Sequence, residues 1–211
     1  MKNSFFILVS LLFLTLNANC QEPEKKEANS IYLVCRGTKS KINIVARDFN
    51  LKDSLLTHIG IGFIEDNQFL VYNVSNFKKN TNGSSLIKES LESFVNLDDI
   101  VYYSVWKIQS NEEEINKLKT IVSEFEKRTI NFDYSFELKE DDYYYCSEFV
   151  YEVLKKLNSS KYNFSPTTIT LNSFYSKALK KEKFDYIPVD FFLTDNLFKK
   201  VEERQYKITV K

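Results

Sequence analysis

Histidine is nearly absent from this sequence, which has 211 residues and a single histidine, His58. A catalytic metal in a protein usually takes several histidine or cysteine ligands, and one histidine among scattered carboxylates does not supply that set. Metal catalysis is therefore disfavoured, and no cofactor is expected. Any chemistry that needs an imidazole depends on His58 alone.

Glycine, proline and excess charge are also scarce. The chain has four glycines and three prolines, and it contains no glycine-rich loop of the kind that cradles phosphate groups. Lys plus Arg equals Asp plus Glu at 29 each, so no net field attracts nucleic acid or an acidic surface. The low glycine and proline content is typical of a genome-wide composition bias and indicates no function. The length fits one domain with its own core, without internal repeats.

The amino terminus has the pattern of a secretory signal peptide. Residues 1–20 begin with one lysine, continue with the apolar run FFILVSLLFL and end in LNANC. Cys20 is either the lipid-modified first residue of a membrane-anchored lipoprotein or the neighbour of an ordinary cleavage site, and both alternatives stay open. We expect an exported protein of the periplasm or cell envelope. Residues 21–30 would be a flexible tether and residues 31–211 the domain.

A cysteine stands at the start of a predicted helix in the stretch Asp141–Leu157, DDYYYCSEFVYEVLKKL. Apolar residues after Cys146 recur at three- and four-residue steps, as in one buried helical stripe. The N-terminal end of a helix favours an anion, so this position predicts a lowered thiol pKa and a reactive thiolate. Most free cysteines are simply small buried residues, and position alone does not overturn that alternative.

The sequence around the histidine predicts a β-strand. His58, Gly60 and Gly62 share one face of this strand, and apolar residues share the other. Glycine destabilises a strand, so we expect another backbone or a helix end to lie close against the glycine face. A cysteine nucleophile needs a base, and only His58 can supply an imidazole.

A hairpin connection over residues 65–68 leads to a second strand, Phe69–Val74. A loop of two residues (65 and 66) or of four places Asn73 on the same face as His58, whereas an odd-length loop turns it away. A side-chain amide beside an imidazole can fix the tautomer and orientation of the ring. Asn73 is therefore the candidate third catalytic residue, and Ser75 is the fallback.

The remaining elements follow from β-branched runs and helical periodicity. Strands are predicted over Ile31–Cys35, Ile42–Val45 and Ile100–Ile108, and closing strands over 184–189 and 198–210. A capping box at Ser110–Glu113 is predicted to open an amphipathic helix that reaches Phe125. A short strand and a short helix are expected within 86–95, and residues 169–179 should be partly helical.

Several motifs together resemble the YiiX/YebB-like branch of permuted papain-like, NlpC-type cysteine hydrolases, from about Ile31 onward. They are THIGIGF, the Asn73 strand, FDYSF, YYYCSEFVYEVL, SPTT and IPVDFF. The resemblance implies an α+β fold with a central antiparallel sheet packed against helices. Its segment order is circularly permuted, so the histidine strand precedes the nucleophile helix.

The resemblance also implies roles for individual residues. Cys146 corresponds to the nucleophile and His58 to the base. Asn73 falls where related sequences usually place a glutamate or another polar residue. This is a departure from the pattern, because asparagine can orient an imidazole but cannot stabilise imidazolium by charge.

Three functional hypotheses are open at this point. The first is a cysteine amidase or peptidase acting on a peptide or amide, with cell-wall peptide the first substrate to try; Tyr145 and Tyr144 are weak candidates for an oxyanion donor or for lining the cleft. The second is a lipid acyltransferase or deacylase that uses the same dyad. The third is a non-catalytic surface binding module in which Cys35 and Cys146 form a disulfide, which leaves His58 and the glycine face unexplained.

Overall fold

The computed structural model describes residues 26–40, 44–138, 141–194 and 196–206. The predicted signal peptide, the candidate lipidation residue Cys20 and the first half of the predicted tether lie outside these ranges. Within them, no helix combines the length and the apolar character needed to cross a lipid bilayer.

Strands dominate the first half of the described chain, and the longer helices follow. The strands are β1 (Ser30–Thr38), β2 (His58–Glu65), β3 (Gln68–Val74), β4 (Leu86–Ser90), β5 (Ile100–Gln109), β6 (Asn131–Phe132), β7 (Tyr143–Tyr144), β8 (Thr167–Thr170), β9 (Lys183–Tyr186) and β10 (Lys199–Gln205). The helices are α1 (Ile44–Asp48), α2 (Leu91–Val95), α3 (Glu112–Glu126), α4 (Cys146–Leu157) and α5 (Ser173–Leu179), with a 3-10 turn at Phe191–Thr194.

Six strands form one antiparallel sheet in the order β10-β5-β1-β2-β3-β4. The histidine strand β2 is central, between β1 and β3. Two short pairs complete the fold: β6 with β7 in parallel, and β8 with β9 antiparallel. The predicted α+β architecture with a central antiparallel sheet is confirmed.

The two faces of the sheet bury separate apolar clusters. The larger core packs the face that carries Ile59, Ile61 and Phe63 against the buried stripes of α3 and α4. The smaller core lies on the opposite face, where α2 contributes Phe94. Alternation along β2 therefore assigns its apolar residues to the larger core and leaves His58, Gly60 and Gly62 on the side of the smaller one.

The β2–β3 hairpin sets the register that the site depends on. Its two-residue turn is Asp66-Asn67, with φ of 48° and 62°, the positive values that a type I′ turn requires. Glu65 pairs with Gln68, so the loop has the even length that was predicted, one residue further along than the 65–66 option. Continuing this register brings Asn73 opposite Gly60, on the same face as His58.

Two local predictions are wrong. The predicted strand Ile42–Val45 is contradicted over its described part, because α1 begins at Ile44. β-branched residues disfavour a helix only weakly. The packing of Val45 and Ala46 against the larger core therefore outweighs the local preference of the β-branched residues for a strand. The predicted capping box at Ser110 is wrong by one position. Asn111 is the N-cap of α3 and accepts the Glu114 N–H at 2.8 Å, while the Ser110 N–H still pairs with Asn29 O as an extension of the sheet.

Candidate active site

Cys146 is the first residue of α4, as the sequence predicted. The apolar stripe behind it, which includes Phe149 and Val150, is fully buried and fixes the helix against the sheet. Tyr145 is the N-cap, and its backbone N–H donates to Glu148 Oε2 at 3.3 Å. Glu148 thus serves the helix start, where an acidic side chain also complements the dipole. The backbone N–H of Cys146 belongs to the first turn and has no partner within the helix.

Two residues beside the cysteine hold the late segment IPV against the helix start. Ser147 Oγ donates to Ile187 O at 2.6 Å, and the Ile187 N–H donates to the Tyr145 hydroxyl at 2.9 Å. The Tyr145 ring stacks on Tyr186 with a centroid distance of 5.2 Å. Both polar groups of the Ile187 peptide are therefore satisfied by side chains that flank Cys146. Ser147 and Ile187 belong to the motifs YYYCSEFVYEVL and IPVDFF, but no role was predicted for either residue from the sequence.

His58 contacts Asn73, the residue that the hairpin register selected. Nε2 of His58 lies 2.9 Å from Asn73 Oδ1, and both side chains are buried. The fallback residue Ser75 is engaged elsewhere, since its hydroxyl accepts the backbone N–H groups of Phe77 and Lys78. Asn73 is thus the group in hydrogen-bond contact with the imidazole.

The other end of the Asn73 amide decides the tautomer of His58. Nδ2 of Asn73 donates to Glu89 Oε1 at 3.0 Å and, more weakly, to Ile87 O at 3.4 Å. Both groups are acceptors, so Oδ1 is the atom that faces His58. Nε2 must then donate its proton to Oδ1, which leaves Nδ1 as the unprotonated, basic nitrogen.

Of the two expected alternatives, another backbone or a helix end, the backbone of the neighbouring strand β3 lies close against the glycine face. A Cβ at Gly60 would lie 2.6 Å from Val71 Cγ1 and 3.2 Å from Asn73 Cβ, and one at Gly62 would meet Leu70 O and the Phe69 ring. Side chains and backbone of the neighbouring strand β3 therefore fill the space, while α4 packs on the opposite, apolar face of β2. The glycine at position 60 makes room for Asn73 beside His58.

Substitution of Gly60 tests this role of the glycine. We expect Gly60→Ala to lower the free energy of unfolding by about 1–3 kcal/mol, as overpacking does, and to shift the His58 imidazole resonances by displacing Asn73. Denaturant unfolding and NMR measure the two effects. Gly83→Ala is the control: its site has φ of +78° and no neighbour within 4 Å, so it introduces backbone strain without displacing Asn73. Unshifted His58 resonances in the Gly60 variant would contradict this role.

Cys146 and His58 both line a cavity of about 160 Å³, although α4 packs against one face of β2 and the His58 ring stacks on Phe94 of the other face. As the first residue of β2, His58 lies at the end of the sheet, where it also borders this cavity. The remaining lining residues are mostly aromatic or apolar: Val45, Ala46, Thr57, Asn76, Phe132, Tyr134, Phe136, Tyr145 and Tyr186. Tyr134 is 67% exposed and reaches solvent at this cavity. The loop FDYSF, one of the motifs behind the family resemblance, thus supplies one wall.

A second cavity of about 330 Å³ borders His58 and is lined also by Arg36, Ser75, Phe77 and Lys78. Arg36 is buried; its Nη1 donates to Phe94 O at 2.6 Å, and its guanidinium lies over the Phe94 ring. This fixed positive charge stands next to the imidazole and influences its protonation.

Both reactive groups are neutral in the resting site. Burial raises the pKa of the Cys146 thiol, and it outweighs the opposing effects of the Ile59 and Ser147 backbone N–H groups and of the Arg36 charge. The predicted lowering of the thiol pKa at the helix N-terminus is therefore wrong. Burial, and then the charge of Arg36, lower the pKa of His58 to about 3, against the effect of the Asn73 hydrogen bond.

The other residues considered from the sequence lie apart from this chemistry. Tyr144 packs against Phe125 and Arg128 and does not line the cavity of Cys146, whereas Tyr145 does. Cys35 and Cys146 are both free thiols, so the alternative disulfide is not formed. Within the described ranges, no group of three or more His, Cys, Asp or Glu side chains is arranged to hold a metal ion.

Comparison with known proteins identifies the family and the fold of the chain. Residues 40–202 match the family described as permuted papain-like amidase enzyme, YaeF/YiiX, C92 family. A crystal structure of the metalloprotein yiiX from Escherichia coli O157:H7 superimposes with a TM-score of 0.62 at 15% sequence identity, covering 86% of this chain and 99% of that one. No match is found among curated proteins. Because the family match spans most of the sequence, the chain belongs to the YaeF/YiiX family of permuted papain-like amidases.

Proposed function

We propose that the protein hydrolyses an amide bond through Cys146 as nucleophile, His58 as general base and Asn73 as the residue that orients the base. The observation that carries the proposal is the shared cavity: the sulfur-bearing residue at a helix start and the only imidazole of the chain line the same space. Membership of an amidase family supports the class of reaction. The hydrogen bond from His58 to Asn73 supports the orienting role.

The neutral resting state determines the order of the first step. Nδ1 of His58 accepts the thiol proton as the sulfur attacks the carbonyl carbon, so proton transfer accompanies formation of the C–S bond. The backbone N–H of Cys146 is available to donate to the developing oxyanion. The imidazolium then gives its proton to the leaving nitrogen as the C–N bond breaks, and a thioester remains on Cys146.

Hydrolysis of the thioester by water completes the cycle. Nδ1 of His58 takes a proton from water, the hydroxide attacks the thioester carbonyl, and the C–S bond breaks. The proton returns to the sulfur and the carboxylic acid leaves. The products are one amine and one acid, with the thiol and the neutral imidazole restored.

A metal has no part in this scheme. The yiiX protein of Escherichia coli O157:H7 is described as a metalloprotein. In the described part of the present chain the donor set does not fit such an ion, since the single histidine already donates from Nε2 to Asn73 and no cluster of three ligand side chains is present. The proposed steps therefore use only the side chains and backbone of this chain, with water.

The substrate is proposed from the leader sequence and the cavity. The signal-peptide pattern of residues 1–20 supports export, and an exported amidase meets cell-wall peptide as an abundant source of amide bonds. Lipidation at Cys20 would hold the enzyme at a membrane, and incorporation of labelled fatty acid distinguishes that form from a secreted one. Peptide amides are therefore the first substrates to assay.

A second candidate function, acyl transfer or deacylation of a lipid, is favoured by the lining of the cavity. Aromatic side chains such as Phe132, Phe136 and Tyr186 surround the space next to Cys146, and an acyl chain would bury apolar surface there. The chemistry at the sulfur is the same, and the two functions differ only in the acyl group and the acceptor.

Trapping of the thioester tests both functions at once. We expect an acyl donor to add the mass of its acyl group to the peptide that contains Cys146, and hydroxylamine at neutral pH to release it. Donors with a peptide acyl group and with a fatty acyl group, compared at equal concentration, separate the amidase from the lipid enzyme by their acylation rates. Turnover without any adduct on Cys146 in rapid-quench samples, or an adduct on Cys35 instead, would speak against the proposed mechanism.

A further inference from the structure

We infer that Glu89 is a positioning residue of this site: it holds the Asn73 amide in the orientation that keeps the His58 proton on Nε2. The inference rests on the proposed function and extends it by one residue. It concerns the arrangement of the base, and Glu89 itself does not touch the space where substrate would react.

The strand register places Glu89 where it can act on Asn73. Asn73 pairs with Ile87 across the β3–β4 ladder, so Ile87 and Glu89, two residues apart, share the face that carries Asn73. Nδ2 of Asn73 donates to Glu89 Oε1 at 3.0 Å, and its contact with Ile87 O is longer at 3.4 Å. The carboxylate is therefore the stronger of the two anchors, since a bond to a charged acceptor is also stronger than a neutral one.

Glu89 is itself held in place and ionised. Its side chain is 7% exposed, and Oε2 accepts from Lys78 Nζ at 2.9 Å and from Ser93 Oγ at 3.0 Å. Burial raises the pKa of Glu89, but the hydrogen bonds from Lys78, Asn73 and Ser93 together lower it below its ordinary value. A fixed acceptor that carries no proton cannot donate to Asn73, so it selects only one orientation of the amide.

The selected orientation determines which nitrogen of the imidazole is basic. With Nδ2 bound to Glu89, Oδ1 faces His58 and accepts the Nε2 proton. If the amide turned over, Nδ2 would face the ring, the proton would move to Nδ1, and the nitrogen needed as base would be occupied. Glu89 thus fixes the tautomer of His58 through Asn73, as a carboxylate in direct contact with the imidazole would do. The simpler alternative, a surface ion pair with Lys78, predicts no effect on His58.

The single histidine makes the tautomer directly measurable. A uniformly ¹⁵N-labelled sample has one imidazole, so its two ring nitrogens give one pair of signals without assignment by mutagenesis. We expect the wild-type protein at neutral pH to show the Nε2-protonated form. We expect Glu89→Ala to shift these signals toward an average of the two tautomers, and to slow acylation of Cys146 by roughly tenfold to a hundredfold, less than removal of the base itself.

Three variants separate positioning from folding and from net charge. Glu89→Gln keeps only one acceptor oxygen, for which Lys78 and Asn73 compete, so it is expected to restore the Nε2 form and the rate only in part, to values between those of the wild type and Glu89→Ala. Lys78→Met removes the ion pair but leaves the bond between Asn73 and Glu89, so the tautomer should be unchanged. Glu65→Ala removes a half-buried carboxylate of the same sheet that pairs with Lys88 and Lys119, and it should change neither readout.

The outcomes distinguish this inference from the proposed function. Unchanged imidazole signals in folded Glu89→Ala would overturn the positioning role, whatever the enzyme hydrolyses; so would a Lys78→Met variant that reproduces the full shift. A shifted tautomer together with an inert Cys146 would instead leave the role of Glu89 intact and remove the proposed hydrolysis. Thermal unfolding of each variant confirms that the comparison is made on folded protein.

Discussion

Replacement of Cys146 by alanine is expected to abolish hydrolysis. The substitution removes the only atom that forms the covalent intermediate, and loss of a nucleophile that acts with a base costs roughly 10⁴- to 10⁶-fold in kcat. Steady-state assays with the amide or acyl donor that acylates the wild-type protein measure the effect. A variant with undiminished turnover would exclude the thiol mechanism.

Cys35→Ala is the matched control for this variant. Cys35 is fully buried in the larger core, is a free thiol and does not line the cavity of Cys146. Its replacement removes a comparable sulfur from the same domain and is expected to leave hydrolysis within about twofold of wild type, at a modest cost in stability. Loss of activity in both variants alike would indicate a folding effect and contradict a special role for Cys146.

Because the pKa of the Cys146 thiol is raised, the rate at which Cys146 is alkylated should depend on pH. Iodoacetamide reacts with thiolate, and burial favours the thiol form of Cys146, so the thiolate fraction grows about tenfold per pH unit until the pH reaches the raised pKa. We expect the alkylation rate of Cys146 to rise through the neutral range without a plateau. A plateau at or below pH 7 would show that the thiolate is already formed at neutral pH. It would support the sequence prediction that the helix N-terminus lowers the thiol pKa.

Sequence reasoning was most successful where a short-range rule acted on neighbouring residues. The α4 stripe placed Cys146 at a helix start, and the even-length hairpin placed Asn73 on the His58 face, because both follow from the repeat of one element or one turn. The order of the histidine strand and the cysteine helix was likewise evident from the motifs. These features determine which elements supply the site.

The parts that sequence reasoning missed depend on contacts between distant segments. The pKa of Cys146 is set by the aromatic residues that enclose it, and these come from separate parts of the chain, including Phe136 and Tyr186. Sequence reasoning left open whether another backbone or a helix end packs against Gly60, and only the structure shows that the neighbours come from β3. Nothing in the sequence distinguishes Glu89 from the other carboxylates on strands. Only the β3–β4 register joins it to Asn73.

Replacement of His58 by glutamine is expected to lower kcat by roughly 10²- to 10⁴-fold, the usual contribution of a general base. Glutamine can still pair with Asn73, so the fold should persist, but it cannot accept the Cys146 proton. Because the resting Cys146 thiol is neutral, it must first lose its proton to the solvent before it can attack the substrate without the base. We therefore expect the residual rate of the variant to increase with pH more steeply than that of the wild-type enzyme. Equal rates and equal pH profiles would show that the imidazole takes no part.

The same variant also tests the burial of His58 through stability. The pKa of His58 is about 3 in the folded protein and 6.5 when unperturbed, so below pH 6.5 the unfolded chain binds a proton that the native state does not. Stability should fall with decreasing pH by about 1.4 kcal/mol per unit between these values. Histidine occurs once in the sequence, so this contribution should vanish in His58→Gln, whose carboxylates titrate unchanged. Denaturant unfolding of both proteins at several pH values between 4 and 7 gives the difference. Parallel curves would show that the imidazole takes up a proton in the folded state, and the neutral-dyad mechanism would then give way to one that starts from imidazolium.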